Sequence, residues 1–458
     1  MYEILLLSYF VSLKCFIHMD FKLQNISKLI NSSTNENDIL NLFTNNLLYT
    51  TFNIGTPKQN VIINIDSKTD TFYFDKNIFN KLYKLNQSIF DANQTGFYNS
   101  SLSSTFKNIS KYSTLSSICS DHFYINGNLT FKDINFTLYN NNKENNQVCG
   151  IFGLGINSNS ILQTKLLEQL WNKYYISNFY FSLIYNSNFD GKLLLDELPH
   201  NYIPNKYKQS ELVSLYNNGE ENNLSWFILI DEVFVRNENF TKNSIDLDSL
   251  KGIIDFSSNT IKGTSKYEKY ILRYFFKKYI DKKICYQIKL EFYEYTSEMI
   301  YCILKDFEDQ LKLFPDLILK NNELNYEFKL TYKDLFIIIR DKVFFLVNFK
   351  IVNKGFDDVS LIEFWTLGIP FLKKFQSVFN PDSKKIGFYL KNDENNDNEN
   401  NANNEKFILK IIYCIIISSI LIAVGLFLGY KLFYKRKRKA NELDENYDYI
   451  EEGNINAN

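Results

Sequence analysis

The sequence is poor in the residues that most often interrupt regular structure or bind metals. Its 458 residues include only 16 glycines, 6 prolines and 3 histidines. Because it has so few histidines and no Cys-x-x-Cys pair, we expect no metal and no cofactor. The formal net charge is −1, which gives no reason to expect a nucleic-acid partner.

Apolar residues are abundant by contrast, and their spacing favours strands. Hydrophobic residues make up 45% and aromatic residues 17% of the chain, enough for a globular body with two lobes. Short stretches of Val, Ile, Phe and Tyr recur between clusters of Asn, Asp, Gly and Ser, a spacing typical of a mostly β fold. Strands are predicted at residues 61–65, 72–74, 179–184, 226–230 and 343–349, and helices at residues 165–171 and 266–279.

The N-terminus has the length of a secretion signal. Residues 4–16 form an apolar run interrupted by Lys14; the run matches a signal-peptide core and is too short to span a bilayer comfortably. We therefore predict a signal peptide over residues 1–18. A buried strand of the mature protein is the alternative, because no cation precedes the run. Residues 19–47 are polar and rich in Asn, which indicates a short pro-like or surface segment.

The C-terminal region indicates a membrane anchor. Residues 411–430 carry no charged side chain and as a helix would cross ~30 Å of hydrocarbon, so we predict a transmembrane helix over residues 407–430. Five consecutive cations follow at residues 435–439, which predicts that the tail, 431–458, is cytoplasmic. Residues 392–406, rich in Asn, Asp and Glu, predict a stalk.

The cysteines agree with an oxidising compartment. Of the six, Cys15 falls in the predicted signal and Cys414 in the predicted span. Four remain in the body and permit three pairings, with metal binding as the weaker alternative. Proximity along the sequence favours the pairs Cys119–Cys149 and Cys285–Cys302.

Two aspartates occupy similar positions in the two halves of the body. Asp66 and Asp255 each follow an aliphatic run and precede a turn that contains serine. Two strand-rich halves that each deliver one carboxylate can pair those carboxylates across an interface. Aspartate at a strand end is common, so ordinary turn residues remain the alternative.

Seven sequence blocks in a characteristic order connect these aspartates to a known family. The blocks are residues 49–66 (YTTFNIGTPKQNVIINID), 98–106 (YNSSLSSTF), 149–155 (CGIFGLG), 189–202, 226–235, 314–318 (FPDLI) and 365–388 (WTLGIPFLKKFQSVFNPDSKKIGF). Together they resemble the pepsin-like aspartic proteases over residues 48–391, which implies a mostly β, bilobal fold with an N-terminal lobe (48–204), a C-terminal lobe (205–391) and a cleft for extended peptides between them.

The resemblance also implies a catalytic dyad. Asp66 and Asp255 fill the two aspartate positions, where the family's carboxylates share one proton and hold a water molecule. A β-hairpin of the first lobe would cover the cleft, and Tyr112 stands where the flap tyrosine is expected.

Both active-site triplets depart from the family's Asp-Thr-Gly. Lys68 replaces the first glycine, and near the dyad its charge would favour ionisation of both carboxylates. Phe256 replaces the second threonine and has no hydroxyl for the hydrogen bond between the lobes, which predicts an unpaired partner. Ser257 replaces the second glycine.

These departures favour a catalytically impaired relative that acts through interaction with an extracellular or lumenal protein or peptide. A membrane-tethered aspartic endopeptidase is the alternative, and a chaperone-like pseudoprotease a third reading. The composition and the anchored body are similar to plasmepsin-like proteins of AT-rich apicomplexan parasites, which include divergent gamete surface proteins. We expect a single-pass protein of the plasma membrane or a secretory vesicle membrane, with the lipid bilayer as a partner.

Overall fold

Strands dominate the protein, whose computed structural model describes residues 16–30, 34–44, 48–75, 96–113, 116–125, 129–139, 148–156, 164–186, 189–216, 225–237, 240–246, 249–291, 295–352 and 364–390. The predicted mostly β fold is confirmed. The strands of the first half are β1 (Ile17–Leu23), β2 (Leu48–Ile54), β3 (Gln59–Asp66), β4 (Phe72–Asp75), β5 (Lys107–Lys111), β6 (Ser116–Ile125), β7 (Leu129–Tyr139), β8 (Cys149–Gly153), β9 (Phe181–Tyr185) and β10 (Asp190–Leu195).

The strands of the second half are shorter and more numerous, and they form the rest of the body. They are β11 (Leu212–Tyr216), β12 (Phe227–Ile230), β13 (Glu232–Asn237), β14 (Phe240–Asp246), β15 (Leu250–Ile254), β16 (Ile261–Gly263), β17 (Cys285–Glu291), β18 (Tyr295–Ile303), β19 (Asp316–Asn321), β20 (Tyr326–Leu330), β21 (Phe336–Ile339), β22 (Lys342–Phe345), β23 (Val347–Val352), β24 (Trp365–Leu367), β25 (Ser377–Asn380) and β26 (Lys385–Tyr389).

The helices are short and lie outside the sheets. Both sequence-predicted helices are present, because each has a run of good helix formers with an apolar face. The α-helices are Ile26–Leu29, Glu36–Thr44, Leu166–Asn172, Pro199–Tyr202, Ser265–Ile271, Lys277–Asp281, Leu304–Leu311, Tyr332–Leu335 and Ile369–Lys374; a π-helix covers Leu272–Phe276, and 3₁₀ turns cover Ser100–Leu102 and Gln209–Glu211.

The two halves repeat one arrangement of four strands. In the first half β3 runs parallel to β8, while β4 is antiparallel to β8 and parallel to β7. In the second half β15 runs parallel to β24, while β16 is antiparallel to β24 and parallel to β23. The similar positions of Asp66 and Asp255 in the sequence therefore correspond to a repeated topology.

One sheet joins the two halves. Its 13 strands run in the order β11-β26-β25-β9-β10-β1-β2-β3-β8-β4-β7-β6-β5, so three strands of the second half continue the sheet of the first. The second half adds a 9-stranded sheet around β15 and β24 and a 4-stranded sheet of β14, β13, β19 and β20.

The N-terminal segment is part of the body. Strand β1 pairs with β10 from Ile17 to Lys22, and its alternate residues Met19 and Phe21 are buried. The helix Glu36–Thr44 buries its apolar face against the second half. The polar composition of residues 19–47 hides these short amphipathic patterns, and the predicted signal boundary at residue 18 falls inside β1.

The predicted cysteine pairs are confirmed in part. Cys285 and Cys302 form a disulfide across the β17–β18 pair. The pair Cys119–Cys149 is wrong, because both are buried free thiols. Cys119 lies on β6 and Cys149 on β8, and two strands separate them along the sheet, a span of ~14 Å at ordinary strand spacing, well beyond disulfide reach.

Within the part of the chain that the structure describes, no helix is both long enough and apolar enough to cross a membrane. The predicted stalk, span and tail (392–406, 407–430 and 431–458) lie outside the described residues, as does most of the predicted signal peptide.

Candidate active site

The repeated strands bring Asp66 and Asp255 to equivalent positions. Asp66 is the last residue of β3, and its carbonyl oxygen accepts a hydrogen bond from Leu154 N at 2.7 Å. Asp255 directly follows β15, and its amide donates to Leu367 O at 3.1 Å. Each carboxylate is therefore fixed at the end of a strand by the parallel strand beside it.

Two glycines let the backbone cross closely behind these turns. A Cβ on Gly155 would lie 2.8 Å from Ser67 O, and one on Gly368 would lie 2.4 Å from Ser258 O. Real Cβ atoms do not approach backbone oxygens so closely, so only glycine fits at either position. The blocks CGIFGLG and WTLG supply these two glycines, and each half thus retains the crossing that supports its aspartate.

A hydrogen bond between the halves survives the loss of threonine. The backbone amide of Phe256 donates to Ser67 Oγ at 3.3 Å, and both groups are buried. The prediction that Phe256 leaves this partner unpaired is wrong, because the donor is a backbone N–H and does not depend on the side chain.

The Phe256 ring packs into an aromatic cluster, which we define as Phe181, Trp226, Phe256 and Phe379. Its centroid lies 6.3 Å from that of Phe181 and 5.3 Å from that of Phe379, both edge-on. Trp226 packs on the same two rings, and its Nε1 donates to Leu154 O at 2.6 Å. The cluster joins β9, β25 and the turn after Asp255 with apolar contacts.

Both oxygens of Asp255 are engaged. Oδ1 accepts from Ser257 N at 2.9 Å and from Ser257 Oγ at 2.6 Å, and Oδ2 lies 3.0 Å from Lys68 Nζ. Burial raises the pKa of Asp255, but the Lys68 ammonium and the Ser257 hydrogen bonds outweigh burial and hold that pKa below its usual value. Sequence reasoning treated Ser257 only as a disruption; serine two residues after aspartate is a local hydrogen-bonding pattern that could have indicated its role.

Asp66 is held more loosely. Its Oδ1 accepts from Lys68 N at 3.2 Å and its Oδ2 from Thr69 Oγ1 at 3.4 Å. Burial raises the pKa of Asp66 above its usual value, although the Lys68 amide and ammonium oppose the rise, and the charge of Asp255 adds to it. The two carboxylates therefore interact, and their pKa values move in opposite directions.

Lys68 acts on both carboxylates in the expected direction, because its charge lowers the pKa of each, but at Asp66 burial outweighs it. The Lys68 ammonium forms an ion pair with Asp255, whereas burial has the largest effect on the pKa of Asp66. Burial lowers the pKa of Lys68, but the carboxylate of Asp255 outweighs burial and raises that pKa. Although the Lys68 side chain is 54% exposed, its charged end is bound to one member of the dyad.

Tyr112 follows strand β5 in the β5–β6 hairpin and is 59% exposed. Two further tyrosines, which sequence reasoning missed, connect this region to the dyad. The rings of Tyr73 and Tyr139 lie 5.6 Å apart. Burial raises the pKa of Tyr73, with a contribution from the charge of Asp66, and burial likewise raises that of Tyr139, with a contribution from Tyr112. From the sequence, the pattern Phe-Tyr-Phe at 72–74 predicted a strand but did not indicate that Tyr73 lies near the dyad.

Comparison with known proteins agrees with this architecture. The chain matches the family model of the eukaryotic aspartyl proteases over residues 48–390, which is more than half of the chain and includes both aspartates. No curated protein matches the chain with significance.

Proposed function

The chain belongs to the eukaryotic aspartyl protease family, and from that membership we propose that it is a catalytically impaired member that binds peptide or protein segments without cutting them. The observation that supports the proposal most directly is the 3.0 Å contact between Lys68 Nζ and Asp255 Oδ2.

Aspartic proteolysis needs a carboxylate that accepts a proton from a water molecule held between the two aspartates. Asp255 is the member whose pKa is lowered, but Lys68 and Ser257 already contact both of its oxygens. An attacking water would have to share Oδ2 with the ammonium, whose positive charge makes the Asp255 carboxylate a weaker proton acceptor. The arrangement therefore stabilises the resting site and opposes the chemical step.

The rest of the family framework is retained, which favours a binding role over loss of all function. Both close glycine crossings, the hydrogen bond from Phe256 N to Ser67 Oγ and the Tyr112 hairpin remain. A protein that kept these features could hold an extended segment beside the dyad. The proposal locates the body in a secretory lumen or outside the cell, tethered by residues 407–430.

The alternative function is a membrane-tethered aspartic endopeptidase with atypical triplets. It is favoured by the opposite pKa shifts of Asp66 and Asp255, because a dyad with one acidic and one ionised carboxyl is the state that the chemistry uses.

Peptide cleavage by the full-length protein distinguishes the two functions. A broad peptide library is incubated from pH 3 to 7 with the natural protein, Asp66→Ala and the combined variant Lys68→Gly/Phe256→Thr/Ser257→Gly. We expect no cleavage by the natural protein and measurable binding of a subset of peptides. Cleavage that appears in the combined variant would show that the framework is intact and that the altered triplets prevent cleavage by the natural protein.

Lys107→Met is the matched control for the lysine change, because it breaks a more exposed ion pair with Asp133 remote in sequence from both triplets. Cleavage by the natural protein that Asp66→Ala abolishes would reject the proposal in favour of the endopeptidase. Absence of both cleavage and peptide binding in a folded protein would reject both functions.

A further inference from the structure

One stretch of the second half is strongly basic, although the whole chain carries a formal net charge of only −1. Residues 265–283, which we call the basic segment, contain seven lysines and arginines against two acids, a net charge of +5. The α-helix Ser265–Ile271, the π-helix Leu272–Phe276 and the α-helix Lys277–Asp281 follow one another here without a break. At ~1.5 Å per residue, these 17 residues form a rod of about 25 Å.

The inner face of the basic segment is part of the protein core. Its buried side chains are those of Tyr267, Ile271, Phe276 and Tyr279. The five-residue interval between Ile271 and Phe276 spans the π-helix, whose wider turn keeps both residues on the same side. The apolar face is therefore occupied by packing within the protein, and the opposite face meets solvent.

The outer face presents more cations than the described acids neutralise. The exposed cations of the segment are Lys266, Lys269, Arg273, Lys277, Lys278, Lys282 and Lys283. Lys266 pairs with the buried Asp246 at 2.7 Å, and Lys269 interacts electrostatically with its buried neighbour Glu268. Among the residues that the structure describes, none of the other five cations has a partner in an ion pair. Five positive charges therefore remain on the exposed side of the segment.

The helix Leu304–Leu311 bounds the basic segment on one side. It packs on the segment through Phe307, whose ring contacts those of Phe276 and Tyr279. Its exposed charged side chains are Lys305, Asp306, Glu308 and Asp309, a net charge of −2. These acids would repel an anionic ligand, so we expect such a ligand to follow the basic segment lengthwise rather than to cross both helices.

An exposed tyrosine lies among the cations. Tyr274 is 57% exposed, and its ring centroid lies 4.7 Å from that of Tyr270 and 5.3 Å from the guanidinium carbon of Arg273. The face of an aromatic ring packs well against another flat, partly apolar ring, and a guanidinium binds the oxygens of sulfate or phosphate through two parallel N–H groups. This combination fits a linear polyanion built from rings better than a single small anion.

We propose that the basic segment binds a sulfated polysaccharide, whose sulfate groups contact Arg273, Lys277 and Lys278 and whose sugar rings pack against Tyr274. The proposal rests on the lumenal or extracellular location proposed above, because the linear polyanions there are mainly sulfated polysaccharides rather than nucleic acids. A lipid surface fits less well, since a helix that lies on a membrane needs an exposed apolar face. Peptide binding beside the dyad is a separate measurement, so either proposal can fail without the other.

Lysine acetylation of the full-length protein in phosphatidylcholine nanodiscs tests the proposal. The probe is a heparin dodecasaccharide, and mass spectrometry measures how strongly it slows acetylation at each lysine. With the probe at about ten times its Kd, we expect about tenfold protection of the lysines at 277, 278, 282 and 283. Lys22 and Lys28, two exposed lysines of the N-terminal segment, should not be protected. Because each lysine is read separately, binding of the probe to the cations at 435–439 is not mistaken for binding to the basic segment.

Two double variants of equal charge test which lysines matter. Lys277→Gln/Lys278→Gln removes two charges from the basic segment and keeps good helix formers there. It should raise the probe concentration that half-protects Lys282 and Lys283 by about tenfold at low salt. Lys22→Gln/Lys28→Gln should leave that concentration unchanged, and added salt should weaken binding to the natural protein.

Competition identifies the class of polyanion. Fully desulfated heparin, which keeps its carboxylates, should displace the probe much less well than heparin, and so should a single-stranded thymidine oligonucleotide. Equal competition by the oligonucleotide would indicate a nucleic-acid site, and protection in phosphatidylserine nanodiscs without the probe would indicate a membrane surface. Either result, an unprotected basic segment, or equal effects of the two double variants would overturn the proposal.

Discussion

At the residue scale, the defining contact is the ion pair of Lys68 with Asp255. A glycine position of the family has become a lysine whose amide bonds Asp66 and whose ammonium bonds Asp255. One residue therefore contacts both aspartates, through different atoms. Its charge opposes the effect of burial at Asp255 but does not overcome burial at Asp66.

Lys68→Met is expected to change how stability depends on pH. A carboxyl whose folded-state pKa is depressed stabilises the fold above its unfolded pKa, about 3.9, and loses this contribution as pH falls through the folded value. Asp255 is such a group because of Lys68. Without the ammonium this lowering is lost and burial favours a higher pKa, so the variant should differ least from the natural protein at pH 3 and become progressively less stable relative to it towards pH 7.

Urea unfolding at pH 3, 5 and 7 measures this difference, with Lys107→Met as the control for an exposed pair, worth about 0–1 kcal/mol. A constant difference between Lys68→Met and the natural protein at all three pH values would contradict the assignment.

Phe256 occupies the position at which the family has the threonine of its active-site triplet, and its role here is structural. The Phe256→Ala variant should lose about 3–5 kcal/mol of unfolding free energy, because a fully buried ring leaves a cavity among Phe181, Trp226 and Phe379. The same truncation at Phe364, 36% exposed, serves as the control in thermal unfolding. An equal effect of the two substitutions would show that the aromatic cluster contributes nothing particular.

At the element scale, the sequence predicted the strands better than the details of the turns. Apolar runs such as 61–65 and 72–74 became β3 and β4 because apolar alternation and branched side chains suit a buried strand. The helix Glu36–Thr44 was missed, since its four buried residues form two short pairs separated by Asn41 in an Asn-rich region. The direction of the Phe256 ring could not be read from the triplet, because only the packed neighbours determine it.

The turns that cross behind the aspartates should tolerate no side chain. Gly368→Ala would place a Cβ 2.3 Å from Thr260 O and 2.4 Å from Ser258 O, both backbone atoms, and should cost about 1–3 kcal/mol or more. Gly387→Ala is the matched control, because its nearest neighbour at 2.9 Å is the flexible end of Leu212. Equal melting temperatures for the two variants would refute the argument.

The four cysteines that the structure describes should divide into two chemical classes. Alkylation of the oxidised native protein should leave Cys119 and Cys149 unmodified, because both are buried and burial raises their pKa values to about 11 and about 12. Unfolding without reductant should release these two thiols, and reduction should add Cys285 and Cys302, as peptide mapping would show. A 119–149 disulfide found by mapping would contradict the structure.

Reduction should also weaken the fold. The disulfide closes a loop with a sequence separation of 17 residues, for which loop-closure entropy predicts about 3 kcal/mol. Cys285→Ser/Cys302→Ser should show the same loss of stability in urea unfolding without any reductant. Cys119→Ser, which leaves the loop between Cys285 and Cys302 closed, should not show the loss that comes from opening this loop.

At the scale of the whole molecule, one 13-stranded sheet runs through both halves. Residues from the N-terminal segment, the first half and the second half share one hydrophobic core cluster. We therefore expect the body to unfold as one cooperative unit. In hydrogen exchange, the amides of β1 should exchange as slowly as those of β3 and β15, and exchange of β1 at the rate of the exposed strand β5 would contradict this.

The resemblance of the sequence to its family predicted the architecture and the two aspartates, because seven blocks specify strand order and glycine crossings together. It did not predict the opposite pKa shifts of Asp66 and Asp255, since these depend on which carboxylate the Lys68 ammonium reaches. It also could not separate the free cysteines from the bonded pair, because sequence distance does not count the strands between them.

Strand β1 lies in the interior of the large sheet, between β10 and β2. A protease that cut the chain after the helix Glu36–Thr44 would not release the segment by cleavage alone, since its backbone would still be bonded on both sides. If the segment did dissociate, β10 and β2 would each be left with an unpaired edge. Such edges form backbone hydrogen bonds with any extended chain that reaches them. Cleavage near residue 46 would therefore produce either an unchanged nicked protein or a self-associating one, unless another strand took the vacated place.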